Sequence, residues 1–169
     1  PAGMLLPGLF LAACFISISI GTSVGTVVAL VPIAAGIASN IGADIAMLTA
    51  IIVGGAYFGD NLSFISDTTV VATQTQGCKM SDKFRVNAFI VIPAALVILG
   101  AYFIMGIGVK APASIPNVEY AKILPYLTVL ITAIAGMNVM AVLTIGILMC
   151  GIIGLLDGSY DVIGWMGAM

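Results

Sequence analysis

Residues 44–76 read DIAMLTAIIVGGAYFGDNLSFISDTTVVATQTQ, an apolar run that takes up two aspartates, an asparagine and a cluster of serines and threonines partway along. As one continuous helix the segment would be about 50 Å long at roughly 1.5 Å per residue. A bilayer's hydrocarbon core is only about 30 Å thick. The run must therefore break, double back or extend into water, and GDNLSFISDTT (Gly59–Thr69) marks where. Unwound backbone at membrane depth is tolerated only where protein buries it or where it lines a wet cavity.

The rest of the chain sets this stretch in a membrane. Of 169 residues, 62% are hydrophobic and 7% charged, the mean hydropathy is +1.25, and soluble domains carry roughly 25% charged residues. No Asp, Glu, Lys or Arg occurs from Pro1 to Ala43, a stretch too long and too poor in flanking Lys or Arg for a signal peptide. Four apolar runs follow one another at 4–39, 44–76, 86–109 and 123–156, with polar loops at 77–85 and 110–122. Only the third has the length of one ordinary span. The first is interrupted by SIGTSVGT (Ser19–Thr26) and the fourth by GMN (Gly136–Asn138). The reading is a single membrane domain over 1–169, an all-α polytopic protein with discontinuous segments, either broken crossings or re-entrant hairpins. Because the chain opens on Pro1, it is expected to be a piece of a longer protein, with the remaining chain and the lipid bilayer as its partners.

Net charge is −2 and histidine is absent, which removes a basic nucleic-acid surface and imidazole chemistry. Cys14, Cys78 and Cys150 form no CxxC pair and are expected to be packing residues. Lys79, Lys83 and Arg85 fall together beside a single acid, Asp82, which places that loop in the cytoplasm and 110–122 outside.

Aspartates inside a membrane usually mark ion or proton pathways. In an unbroken helix Asp60 and Asp67 would lie about 10 Å apart along the axis. With the backbone open between them, freed carbonyls could converge with the side chains of Asp60, Asn61, Ser63, Ser66, Asp67, Thr68 and Thr69, the all-oxygen set that hard cations prefer. Low dielectric favours the neutral form of a carboxylate, so proton and cation compete for it. For Thr22, Ser23 and Thr26, ion contact and helix-to-helix hydrogen bonding stand as alternatives, and Asn138 reads first as interhelical glue. Asp67 also suits a helix start. Gly21xxxGly25, Gly55xxxGly59 and Gly154xxxGly158 have the spacing of small-residue packing faces.

GDNLSFISDTT, GTSVGT (Gly21–Thr26) and the following Pro32 together resemble the NhaC-type sodium/proton antiporter family. The family motif reads closer to GDHCSPISDTT, and this chain departs at Asn61, Leu62 and Phe64. The resemblance implies half of an inverted-repeat transporter in the bacterial inner membrane, exchanging sodium or another monovalent cation for protons. It implies Asp60 and Asp67 as the carboxylates for the transported cation, Ser66, Thr68 and Thr69 as neutral ligands, and Thr22, Ser23 and Thr26 facing them. Transported Na+ and H+ are then substrates and no cofactor is expected; a homodimer is admitted. Some relatives exchange organic acids or amino acids, which is the alternative function. An intramembrane aspartyl protease fits less well, since Phe58 takes the place of the first glycine in its GxGD signature and both aspartates lie in one segment.

Overall fold

The computed structural model describes residues 2–109, 120–135, 137–158 and 161–167. Most of the expected loop at 110–122, and Gly136 of the fourth interruption, lie outside them. Among the described residues there is no strand, and three helical segments are long and apolar enough to cross a membrane. The chain divides into two units, Pro1–Ile115 and Pro116–Met169.

Stop and start signals follow closely in the first unit. Helix α1 (Leu5–Ile20) ends at Gly21, whose φ of 71° is left-handed and whose N–H bonds to the Ser17 carbonyl, an ending that glycine adopts without a Cβ penalty. Thr22 is extended, and its hydroxyl accepts the Gly25 N–H at 3.3 Å, opening α2 (Ser23–Ile41). Gly42 ends α2 in the same left-handed way, and the Asp44 carboxylate, accepting the Ala46 N–H at 2.9 Å, opens α3 (Ile45–Leu62). After Ser63–Ser66 comes the short α4 (Asp67–Thr75) and then α5 (Met80–Gly106).

Helix directions follow from which residues meet. Gly55 lies against Phe10, Gly59 against Cys14, and Ser63 bonds to Ile18, so α1 and α3 advance together and are parallel. Ser23 meets Asp60 while the turn at Gly42–Asp44 joins the other ends, so α2 and α3 are antiparallel. It follows that α1 and α2 are antiparallel to each other. The first apolar run is a hairpin, and the second is a broken helix. Helix α5 returns alongside: Tyr102 packs on Phe10 with ring centroids 5.6 Å apart, Gly106 lies against Gly3, and the first turns of α5 reach α4 and the end of α3.

Small residues let α1 and α3 pack closely. A Cβ on Gly55 would sit 2.6 Å from the Phe10 carbonyl oxygen, and one on Gly59 would collide with that of Cys14. Helix surfaces without side-chain bulk are how membrane helices gain packing energy where hydrocarbon surrounds them. Around this contact Leu6, Phe10, Ala13, Leu48, Ile51 and Ile52 form the core. Phe89, Ile90, Leu96, Val97 and Ile104 on α5 are exposed, an apolar face suited to lipid. Cys14 is buried, as a packing residue would be, but Cys78 and Cys150 are exposed.

The stretch Gly77–Arg85 has the charge of a loop, yet only its first residues turn the chain, and the helix begins at Met80. Asp82 in the first turn complements the helix dipole, and Lys and Met are good helix formers. This puts Lys83 and Asn87 four residues apart on one helix face.

In the second unit, α6 (Leu124–Ile134) and α7 (Val139–Leu156) also form a hairpin, with Gly146 facing Val129, followed by α8 (Val162–Gly167). Asn138 caps α7 by accepting the Met140 N–H at 2.9 Å.

Candidate functional site

The tip of the α1–α2 hairpin sits on the break between α3 and α4. Ser17 donates to the Ala56 carbonyl at 2.6 Å, and Ser63 donates to the Ile18 carbonyl at 2.9 Å while accepting the Ile65 N–H. Gly21 closes the contact, because a Cβ there would lie 2.8 Å from the Ile65 side chain. The two bonds of Ser63 satisfy backbone groups that helix termination and unwinding would otherwise strand, the Ile18 carbonyl and the Ile65 N–H, while Ser17 ties α1 to the body of α3.

Asp60 stands in the last turn of α3, facing the first turn of α2. The Ser23 hydroxyl donates to its Oδ2 at 3.1 Å. Its Oδ1 is buried and has no hydrogen-bond partner. A buried acceptor left without a donor is costly, and more so when it carries charge. The positive N-terminal end of α2 offsets part of that charge, and a bound proton or cation would offset the rest.

Across the break lies a cation that the chain supplies itself. Lys83 donates to the Asn61 carbonyl at 2.5 Å and to the Thr69 hydroxyl at 2.9 Å, and the Asn87 amide donates to the same carbonyl at 3.3 Å. The ammonium lies within Coulombic range of Asp60, yet its hydrogen bonds go to Asn61 and Thr69 and leave Oδ1 unpaired. Beside it, Phe64 of the break stacks on Phe84 with ring centroids 4.5 Å apart.

The remaining candidates divide clearly. Thr22 caps α2, and Thr26, buried, donates to the Thr22 carbonyl at 2.8 Å, so both shape the first turn of α2 beside Ser23. The Asn61 side chain turns back to the Tyr57 carbonyl, so its contribution to the cluster is its own backbone oxygen. Ser66 is buried and pairs with Thr68 at 2.9 Å. Asp67 begins α4, is exposed, and accepts the Thr68 N–H at 2.7 Å. No hydrogen bond joins it to Asp60, as a proton-sharing protease dyad would require. Asn138 belongs to the second unit and is exposed, with its oxygen engaged in the cap.

Among the described residues no three His, Cys, Asp or Glu side chains cluster. Among the described residues Asp60 is hydrogen-bonded to Ser23 and to no second carboxylate, and a group of fewer than three such side chains carries less charge than the several carboxylates typical of calcium sites. Lys83 and Asn87 are the residues that sequence reading missed. The usable signal was their four-residue spacing at the start of α5, ahead of its uncharged stretch.

An unwound helix meeting a hairpin tip, with a partly unsatisfied carboxylate between them, is the construction of membrane transporters that carry ions. The model of the Na+/H+ antiporter family matches residues 1–107, which include every element of this site, and the chain belongs to that family. It is 26% identical over 107 residues to an uncharacterised Na+/H+ antiporter of Haemophilus influenzae, an alignment covering 63% of this chain and 23% of that protein. The chain thus spans less than a quarter of its relative's length. No solved structure matches it.

Proposed function

We propose that this chain forms part of the ion pathway of a secondary antiporter, of the NhaC type, that exchanges sodium or another monovalent cation for protons across the bacterial inner membrane. The observation that carries the reading is the buried Asp60 Oδ1, which lacks a donor where the hairpin tip meets the broken helix. Asp60, when deprotonated, takes the cation together with the Ser23 hydroxyl and the freed carbonyl of Asn61. On the other side a proton displaces it. Asp67 and Thr68 lie exposed at the start of α4, and Asp67 draws cations toward the break by its charge. The transported ions are substrates, and other parts of the transporter complete the site. Rocking of one bundle against another would give alternating access while the site keeps its depth.

The test uses the full-length transporter in everted membrane vesicles. An imposed pH gradient should dissipate on addition of sodium, lithium or potassium, and Asp60→Asn should abolish the response at normal membrane abundance. A response to organic or amino acids alone would move the protein to solute exchange. Full activity in Asp60→Asn would refute the site.

A further inference from the structure

Lys83 sits where a transported cation would find its ligands. Asn61 is in the final turn of α3, so its carbonyl has no helical N–H to accept and stands at the negative end of the helix. An ammonium and a monovalent metal ion make the same demand on such an oxygen. Lys83 answers it by spanning the break, with Asn61 of α3 on one side and Thr69 of α4 on the other.

We propose that Lys83 is a tethered cation that occupies part of the ion's coordination set in the unloaded site, and so sets the affinity for the transported cation by competing with it. The proposal rests on the antiporter reading of Asp60. Two features of the geometry support it. The ammonium is held away from the carboxylate by Asn61 and Thr69, so Asp60 keeps an oxygen free for an incoming ion, where a direct ion pair would quench both charges. The Phe64–Phe84 stack fixes the turn of α5 that carries Lys83 against the unwound segment, so the lysine is not a wandering surface charge. A cation that binds Asp60 and the Asn61 carbonyl repels the ammonium and takes its acceptor. Loading the site and the grip of Lys83 across the break therefore exclude each other. Lys83 is on this account a positioning residue that governs affinity.

The experiment measures the apparent KM for sodium-dependent proton movement in everted vesicles at one fixed pH, with the full-length transporter and its Lys83→Gln and Lys83→Arg variants. Removing the competitor should lower KM about tenfold in Lys83→Gln, since a nearby like charge is lost. Arginine keeps the charge and adds donors in a rigid fork that suits two oxygens, so Lys83→Arg should raise KM about threefold. A lysine that only clasps α3 to α4 predicts the opposite sign for glutamine, because a loosened site binds worse. A KM that is unchanged or raised in Lys83→Gln overturns the proposal. Should that variant fail to reach the membrane, Lys83→Arg decides alone, and an unshifted KM there overturns it. Wild-type protein without cation-dependent exchange would overturn the antiporter reading and this proposal with it, whereas wild-type exchange with unshifted variants overturns this proposal only.

Discussion

The hairpins α1–α2 and α6–α7 both restart their second helix at a polar residue, Thr22 in the first and Asn138 in the second. In each, a side-chain oxygen caps the outgoing helix: Thr22 accepts from Gly25 and Asn138 from Met140. Beyond the cap they differ. The first tip rests on an unwound segment that brings Asp60 to Ser23 and Lys83 to Asn61. In the second, Asn138 is exposed and its oxygen is used by the cap. A polar residue at a helix turn thus serves as a cap at both tips, and at the first tip a charged residue of another element stands beside it as well.

Substitutions can break or sharpen this contrast. The largest effect is expected from Asp60→Asn, which should reduce cation-dependent proton movement by at least about 100-fold, because it removes the charge that faces the first tip. Vesicle pH-gradient assays on protein of matched abundance would check it. Next, Gly59→Val should cost about 2–3 kcal/mol of stability, since its Cβ meets main chain of α1 that cannot rotate away. Thermal unfolding in detergent would show the lowered midpoint. Ser23→Ala strips Asp60 of the hydroxyl donor on its Oδ2, and the apparent cation affinity should weaken about tenfold, as for other hydrogen bonds to charged groups. At the second tip, Asn138→Ala should cost about 1 kcal/mol through loss of the cap, again read by thermal unfolding. The smallest effect belongs to Asp67→Asn, whose exposed charge should change transport by less than about fivefold and more at low salt than at high. A loss as severe as that of Asp60→Asn would erase the distinction drawn between the two carboxylates.

Much of the fold was legible beforehand because hydrocarbon leaves few choices. The runs over 4–39, 44–76, 86–109 and 123–156 overlap α1–α2, α3–α4, α5 and α6–α7, with α5 beginning earlier than its run, at Met80. The interruptions at Ser19–Thr26 and Gly59–Thr69 fall where helices end, since a chain in an apolar medium can abandon helical hydrogen bonds only where polar side chains and glycines replace them. Whether an interrupted run continues or reverses was not legible. Gly21-Thr22 and Ser63–Ser66 both stop and restart a helix, but the first reverses the chain, a choice made by packing of α1 and α2 against the common partner α3. Gly55xxxGly59 was rightly read as a packing face. In Gly21xxxGly25 the first glycine packs on Ile65, whereas Gly25 faces its own Thr22 side chain.

By itself, then, the sequence determined that the chain is helical and membrane-embedded, where its helices stop, and that a carboxylate-bearing break lies in the second run, because these depend on local composition and on the cost of bare backbone in hydrocarbon. Tertiary structure alone decided that the first run is a hairpin, that Ser23 and not Asp67 meets Asp60, and that Lys83, on a different helix, reaches the carbonyl of Asn61. Those contacts join residues far apart in the chain, and no local preference encodes which helix face a distant lysine will find.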